Sequence, residues 1–471
     1  MRKAIIFGCG KIGTVCYYKI KESYQEIVYT DNNEQLWGTS KKNISILSPE
    51  EIFNKWGVED TDVYIAIENA SISDVLIEQV KQYGEYCIYV YKLPFFYSNN
   101  DLIQIKKNSI GIKTSRKSVL FVSAITGIRD NKIASIVKKM GWDVYLVFLE
   151  LPPAERMDEY TSIYSEIISV ESIDDLVKLV EESDFDIIHC SSEPEFVTAL
   201  LKNTGKIVIH DCHDLNSLTR ANMTPDSMTI EYLSHSMADG VIYPSEKLRC
   251  IAVDRFNLNR ERTLVIEGLV TKDMIPNRRL PKKSLVDGEI HAVYEGLIVN
   301  KPKTSKKYVE DMWIKIAKAG VHVHFYSQFD VTYCNYLESL DDNIHYEGNC
   351  SSKELSVLLS QYDVGLVLFN DNSLTHLNLE CASPLKLYEY LNAGIPVAIS
   401  NIENHKKIVE HYGVGKYLDL NGDIYMQLKN ISRFVVDENF LVDNKLILDE
   451  KGSEIINFYE KLIEQKRKGI L

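Results

Sequence analysis

The sequence predicts an α/β protein made of three parallel-sheet domains in series. Short apolar runs alternate with helical patterns along nearly the whole chain, as strands joined by crossover helices require. That alternation restarts after a polar break and again after a Pro-rich one. A chain of 471 residues is also too long for a single hydrophobic core.

The first block, residues 1–113, opens with "KAIIFGCGKIG" and runs through "EIVYTDNN" and "TDVYIAIENA" to "EYCIYVYK". The polar stretch "IGIKTSRKS" leads into a second block, 117–278. It reads strand, turn, helix and strand in "VLFVSAITGIRDNKIASIVKKMGWDVYLVFLE", then "FDIIHC", "GKIVIHDCHD", "DGVIYPS" and "TLVIEG". The segment "PNRRLPKKSLVDGE" has the Pro-rich, basic character of an interdomain linker. A third block, 285–450, holds "IHAVYEGLI", "VHVHFYSQ", "NIHYEGN", "DVGLVLFN" and "IPVAIS". Each block therefore reads as a Rossmann-like domain. In 451–471, Ile455, Ile456, Tyr459, Leu462 and Ile463 recur at helical spacing, as in an amphipathic helix packed on the body. Its basic end, Lys466 to Lys468, is either a solvated terminus or a contact for anionic lipid.

Apolar content of 45% and charged content of 25% are those of an ordinary globular protein. The net charge of -14 argues against nucleic acid as a partner. Nine cysteines, scattered singly with no CxxC, suit reduced thiols better than disulfides or a structural zinc site. The amino terminus runs straight into a strand rather than a secretory signal, and no apolar run is long enough to span a bilayer. The expectation is a cytoplasmic protein, soluble or at most peripheral at the inner face of a membrane.

"CASPLKLYEYLNAGIPVAIS", residues 381–400, carries the clearest chemistry. Ser383 and Pro384 predict a helix start, with the hydroxyl capping a free amide and proline at the first helical position. Gly394 predicts its end. The helix follows the strand "DVGLVLF", so its amino end lies over the carboxyl edge of a parallel sheet, where open α/β folds bind ligands. Free amides and the helix dipole favour an anion there, and Lys386 adds a full positive charge. Glu389, one turn further on the same face, can accept two hydrogen bonds from a ribose diol. The alternative is a solvated i,i+3 pair worth roughly 0.2–0.5 kcal/mol.

The string "SPLKLYEYLNAGIPV" resembles the donor-site helix of family 4-like glycosyltransferases of the GT-B architecture, in which two Rossmann-like domains face each other across a cleft. "DFDIIHCSS", "MADGVIYPSEKLR", "YEGLIVNKPK" and "NIHYEGNCSSKELSVLLSQYDVGLVLF" fall in the order that family would have, over residues 117–471. The resemblance implies transfer of a sugar, of hexosyltransferase type, from a nucleotide-diphosphate-sugar donor to a glycan or lipid-linked acceptor. It further implies a setting of capsule, O-antigen or exopolysaccharide biosynthesis, with no cofactor needed for transfer.

In such enzymes the carboxyl-terminal domain holds the donor, and the matching residues are Ser383, Lys386 and Glu389, the last at the ribose. Gly296 matches the turn where backbone approaches the diphosphate. Lys303 matches a lysine that balances the leaving diphosphate, with Lys301 beside it and a solvated linker lysine as the alternative. Where the family often carries a second glutamate this chain has Cys381, next to Glu380, and its usual arginine after the glycine is Leu297. The amino-terminal side of the cleft would receive the acceptor. His210, Asp211, His213 and Asp214 crowd one strand end, and acid-base work or a hydrogen bond to the sugar suits His213 and Asp214 best, with Asp211 behind them. His189 and Glu193, at the next strand end, are expected acceptor contacts, and Gly127 is expected in the first turn facing the donor. No metal is expected for transfer. "DFD" at 184–186 precedes its strand, and basic residues with a helix end can carry the leaving-group charge.

In the first block, Gly8, Gly10 and Gly13 form GxGxxG between strand and helix, and Asp31 closes the next strand. That is a dinucleotide fingerprint, pointing to NAD. The block is also similar to small domains attached to polysaccharide-synthesis proteins, which implies a nucleotide sugar or a docking role. The catalytic Tyr-x-x-x-Lys of a sugar dehydrogenase is not matched, since "YVYK" at 89–92 has the wrong spacing, so binding or docking is the preferred reading. The alternative function is an NAD-dependent oxidoreductase or epimerase in this block, with the rest of the chain as a binding module.

Overall fold

The computed structural model describes residues 2–21, 23–41, 43–67, 70–91, 106–107, 112–123, 127–149, 157–170, 172–191, 194–219, 223–298, 300–327, 330–373 and 375–471. The chain separates into two compact units, Met1–Asn99 with Glu171–Ile173, and Asn100–Val170 with Asp174–Leu471.

The smaller unit has one six-stranded sheet of order β3-β4-β2-β1-β5-β6. Its strands are β1 (Lys3–Phe7), β2 (Glu26–Thr30), β3 (Ser40–Lys41), β4 (Ile44–Leu47), β5 (Thr61–Ile65) and β6 (Cys87–Val90). Only the β3–β4 pair is antiparallel. The central strands are apolar on both faces because both are covered. Ile5, Phe7, Val63 and Ile65 pack with Ile52, Phe53 and Trp56, while Ala4, Ile6 and Tyr29 pack with Cys16.

The larger unit contains two parallel sheets. The amino-terminal one comprises β7 (Lys106–Lys107), β8 (Ser118–Ser123), β9 (Asp143–Phe148), β10 (Glu166–Ser169), β11 (Ile187–Ser191), β12 (Val208–Asp211), β13 (Gly240–Tyr243) and β14 (Thr263–Val265). Their order is β14-β13-β12-β11-β8-β9-β10-β7. The carboxyl-terminal one comprises β15 (Ile290–Glu295), β16 (Val321–Tyr326), β17 (Ile344–Tyr346), β18 (Val364–Val367), β19 (Val397–Ile399) and β20 (Gly415–Tyr417), in the order β17-β16-β15-β18-β19-β20. The strand order reverses at β8 in one sheet and between β15 and β18 in the other. These are the positions where the carboxyl edge of an open sheet leaves a crevice. One boundary differs from the expectation of a first block ending at 113. Lys106 and Lys107 pair with Ile168 and Ser169, so this strand belongs to the second sheet.

Two chain segments cross between these sheets, and they touch. Val270 and Ile447 form a parallel bridge, and the Leu448 amide donates to the Val270 carbonyl at 2.8 Å. The second crossing delivers the helix Gly452–Arg467 onto the amino-terminal sheet. Its apolar stripe is buried, with Tyr459 set against Trp142 and His189 at centroid distances of 5.7 and 6.2 Å. Phe458 and Leu462 lie so close over Gly240 that a Cβ there would fall 2.7 and 2.8 Å from them. Among the described residues, no helix is long and apolar enough to cross a membrane.

Candidate active site

The residues expected on the donor side come from three loops at the carboxyl edge of the second sheet. Gly296 directly follows β15 with φ +136°, a conformation that L side chains rarely adopt. A Cβ there would lie 3.4 Å from Lys386 Nζ. The ammonium sits 3.6 Å above the centre of the Tyr294 ring and 5.5 Å from that of Phe369, so two aromatic faces hold it against the glycine turn.

The helix bearing Lys386 spans Leu385–Asn392. Its end is the expected one, at Gly394 with φ +75°. Its start is one residue later than expected, because Pro384 is the N-cap residue and no side chain caps the helix. Ser383 is engaged elsewhere. Its Oγ accepts from the Gly268 amide at 2.9 Å, across the cleft. A Cβ on Gly268 would come within 2.5 Å of the Ser383 carbonyl, so only glycine lets the two lobes close here.

Glu389 is buried, at 9% exposure, and its neighbours are charged. Burial and the adjacent Glu295 push its carboxyl well above the usual range, while Lys132 and Lys386 pull the other way. The Glu295 amide donates to the Tyr390 hydroxyl at 2.9 Å, which fixes the strand end beside it. Lys132 comes from the amino-terminal lobe, on the helix Ile128–Lys139, and donates to the Leu269 carbonyl at 3.2 Å. Burial lowers its ammonium to about 8 against the pull of Glu389, Glu295 and Asp273. The lobes thus meet at two carboxyl groups and a buried lysine.

The lysines of "KPKTSKK" divide. Lys303 is exposed and pairs with Asp311 at 3.1 Å, with its Nζ 5.5 Å from the centre of the Tyr308 ring. It does not join Lys386. Lys306 bonds Asn378 and lies 3.9 Å from Asp214, while Lys307 is pushed down by burial and by the charges of Lys306 and Lys386. The sequence reading passed over Lys306 and Lys307; four lysines in seven residues carry no internal sign of which ones turn inward. Glu380, beside Cys381, is buried against Lys247 at 2.8 Å and accepts the Glu403 amide at 2.7 Å. Burial works upward on this acid, but Lys247 and those amides hold it below its ordinary value.

On the opposite lobe Asp211 is fully buried, and Arg129 grips both its oxygens at 2.9–3.1 Å. Burial alone would raise this carboxyl. Arg129, His189 and His213 outweigh it and hold the acid well below the carboxylate range. His213 faces the cleft, with Nε2 3.5 Å from Ser191 Oγ, 3.8 Å from Asp130 Oδ1 and 3.9 Å from Asp211 Oδ2. Asp214 reaches the other lobe, accepting from Asn378 Nδ2 at 3.0 Å. Gly127 caps the helix Ile128–Lys139, and its amide donates to Asp130 Oδ2 at 3.1 Å.

His189 needs correction as an acceptor contact. It has no exposed surface, stacks on Phe121 at 4.6 Å, and spends Nδ1 on the Tyr459 hydroxyl at 2.7 Å and Nε2 on Asp211 at 3.4 Å. A side chain so enclosed can position Asp211 but cannot touch an acceptor. Glu193 lies outside the described residues. Between the lobes is a cavity of about 200 Å³ whose lining includes Arg129, Lys132, His213, Glu267, Gly268 and Ser383.

In the smaller unit the glycine loop is tight. A Cβ on Gly13 would meet the Gly8 carbonyl at 2.0 Å, and Gly8 has φ +114°, whereas Gly10 faces open space. Asp31 folds back on this loop, accepting from the Cys9 amide at 2.8 Å, and Lys41 donates to the Gly10 carbonyl at 3.1 Å and to that of Cys9. A ribose bound by Asp31 would have to compete with the Cys9 amide.

Residues 134–271 match Glycosyltransferase Family 4, and residues 308–438 match the glucosyltransferase 3-like C-terminal domain. No curated protein matches the chain. Among solved structures, a glycosyltransferase from Rickettsia africae ESF-5 is similar at 13% identity and a TM-score of 0.55, covering 74% of this chain and 99% of that one. The Anabaena protein HepE, solved with UDP-glucose, is similar at 14% identity and a TM-score of 0.50, covering 75% of this chain and 99% of that one. At such identities the likeness is one of fold. Both matched domains lie in the larger unit, which is thus a family 4-like glycosyltransferase of the GT-B architecture.

Proposed function

We propose that the larger unit transfers a sugar from a nucleotide-diphosphate donor to a hydroxyl of a glycan or lipid-linked acceptor. The observation that carries this reading is the meeting of Gly296, Lys386 and Glu389 at the sheet crevice, opposite His213 and Arg129 across one cleft. A diphosphate has what it needs there: a close backbone turn, the Lys386 ammonium, and Lys306 and Lys307 nearby. Glu389 is one helical turn away, at the distance of the attached ribose. His213 is the cleft-facing imidazole on the acceptor side. Asp211, buried and ionised, sits 3.9 Å behind it. HepE, of the same fold, was solved with UDP-glucose, which makes a UDP-sugar the first donor to try.

Calorimetry of the full chain with UDP-, GDP- and CDP-sugars tests the reading, followed by Lys386→Met and His213→Ala in a transfer assay. Binding of one nucleotide class that Lys386→Met weakens, with turnover lost in His213→Ala, is the expected result. If no nucleotide sugar binds, the proposal fails. For the smaller unit we propose a binding or docking role rather than hydride transfer, since Asp31 is already engaged by its own loop. Titrating NAD against the chain checks this, and tight binding with sugar-nucleotide reduction would reverse it. An assembly role in capsule, O-antigen or exopolysaccharide synthesis, at the inner face of a membrane, is the setting this activity would serve.

A further inference from the structure

Behind the acceptor-side wall lies a second cluster of reactive side chains that transfer does not use. His210 is on β12, Cys212 follows the end of that strand, and His235 is on the helix Pro225–Met237. One ligand atom from each lies within 4.8 Å of the others, and all three residues are buried. The two imidazoles meet edge to face at 4.7 Å, and His235 is stacked between Phe256 at 4.4 Å and Tyr243 at 5.7 Å.

Their hydrogen bonds are one-sided. His210 Nδ1 is 2.9 Å from Thr198 Oγ1, and His235 Nδ1 is 2.9 Å from the Tyr243 hydroxyl. The Nε2 atoms of both rings are buried with no hydrogen-bond partner among the described residues. Leaving one such nitrogen unpaired is costly, and a buried pair calls for an occupant. If each Nδ1–H donates to its hydroxyl, each Nε2 keeps a lone pair for a metal. That is how metal-binding histidines are oriented by outer partners. Cys212 supplies the third donor. Its thiol donates weakly to the Asp214 carbonyl at 3.4 Å.

We propose that His210, Cys212 and His235 form a structural site for a zinc ion. Two imidazoles and a thiolate match the borderline-soft character of Zn²⁺. Bonds of about 2.0–2.1 Å to nitrogen and 2.3 Å to sulfur place tetrahedral donors roughly 3.4–3.6 Å apart, so the cluster need contract by only about an ångström. Binding converts the Cys212 thiol to thiolate, releases one proton to solvent and leaves both imidazoles neutral. The fourth position falls to water. The ion would tie β12 to the helix Pro225–Met237. Asp211 and His213 flank its ligands in sequence, so it would brace them without touching substrate. The expectation that transfer itself needs no metal concerns a different place.

Because the cluster is enclosed, the ion should enter during folding. The test is the full chain expressed in zinc-supplemented medium, and refolded with Co²⁺ as a spectroscopic substitute. One equivalent of zinc per chain, and a thiolate-to-cobalt charge-transfer band that Cys212→Ser abolishes, are expected. Tyr243→Phe should keep the band while weakening metal affinity about 10–100-fold. Wild-type protein that folds without zinc and shows no cobalt band overturns the proposal, as does a band that survives in Cys212→Ser. A crystal with no anomalous signal between His210 and His235 at the zinc edge would assign the gap to water. Should Cys212→Ser fail to fold, the wild-type stoichiometry and that crystal decide alone.

Discussion

Replacing Lys386 by methionine tests which of the two lysines expected at the donor, Lys386 or Lys303, meets the diphosphate. Lys386 Nζ is held 3.6 Å over the Tyr294 ring, and a Cβ on Gly296 would be 3.4 Å from it, so a phosphate in that turn would meet this ammonium first. A hydrogen bond to a charged group contributes about 1.5–3 kcal/mol, which is roughly a 10–150-fold change in affinity. Methionine keeps the contact with Tyr294 and removes only the charge. Lys303, which the family resemblance also implies, is exposed and already paired with Asp311. Its replacement by methionine should leave binding within about twofold, as expected for an exposed pair. The assay is calorimetric titration of each variant with UDP, GDP and CDP at low salt, where phosphate contacts are least screened. Near wild-type affinity in Lys386→Met, or a tenfold loss in Lys303→Met, would show that the assignment of the cationic group is wrong.

Glu389→Gln should change how stability depends on pH. The native carboxyl keeps its proton above the usual carboxylate range, so the native state binds more protons than the unfolded one. Stability then falls with rising pH by up to about 1.4 kcal/mol per unit from this group. Lys132, lowered to about 8, acts in the opposite sense and only above that pH. Urea unfolding between about pH 5 and 7 should therefore show a flatter profile in Glu389→Gln, and equal slopes would refute the burial argument. Arg129→Met takes the guanidinium partner from the buried Asp211 and, among the described residues, leaves it only His189 and His213, which should cost about 3–5 kcal/mol in urea unfolding; adding Asp211→Asn should restore part of that loss. Gly365→Ala drives a Cβ to 2.3–2.8 Å from Tyr390. Overpacking of that kind costs about 1–3 kcal/mol or more. Since Tyr390 holds the Glu295 amide, nucleotide affinity should fall along with the melting temperature.

The strands were legible because both faces of a parallel sheet are covered, which leaves unbroken apolar runs such as "KAIIF" and "HAVY". The end of the donor helix was legible too, since Gly394 takes a backbone angle that few other residues tolerate. Its start was misread by one residue for a tertiary reason. The Ser383 hydroxyl that local rules assign to the cap is taken by an amide more than a hundred positions away. Burial of His189 had the same kind of cause. The ring is covered by Tyr459 from a helix whose landing place no spacing rule gives. The cluster of His210, Cys212 and His235 escaped because two ligands lie two residues apart and the third is on a later helix, unlike the paired CxxC spacing by which zinc sites are usually found.

The returning helix Gly452–Arg467 has a consequence for the order of assembly. During synthesis β8 to β14 emerge long before Tyr459, Phe458 and Leu462, yet these residues close the hollow at Gly240 and Trp142. The earlier lobe must therefore wait, with that patch open to solvent, until the whole later lobe has been made. A nascent chain halted near residue 440 should bind a hydrophobic dye or a chaperone at that patch, and release it once the final helix docks.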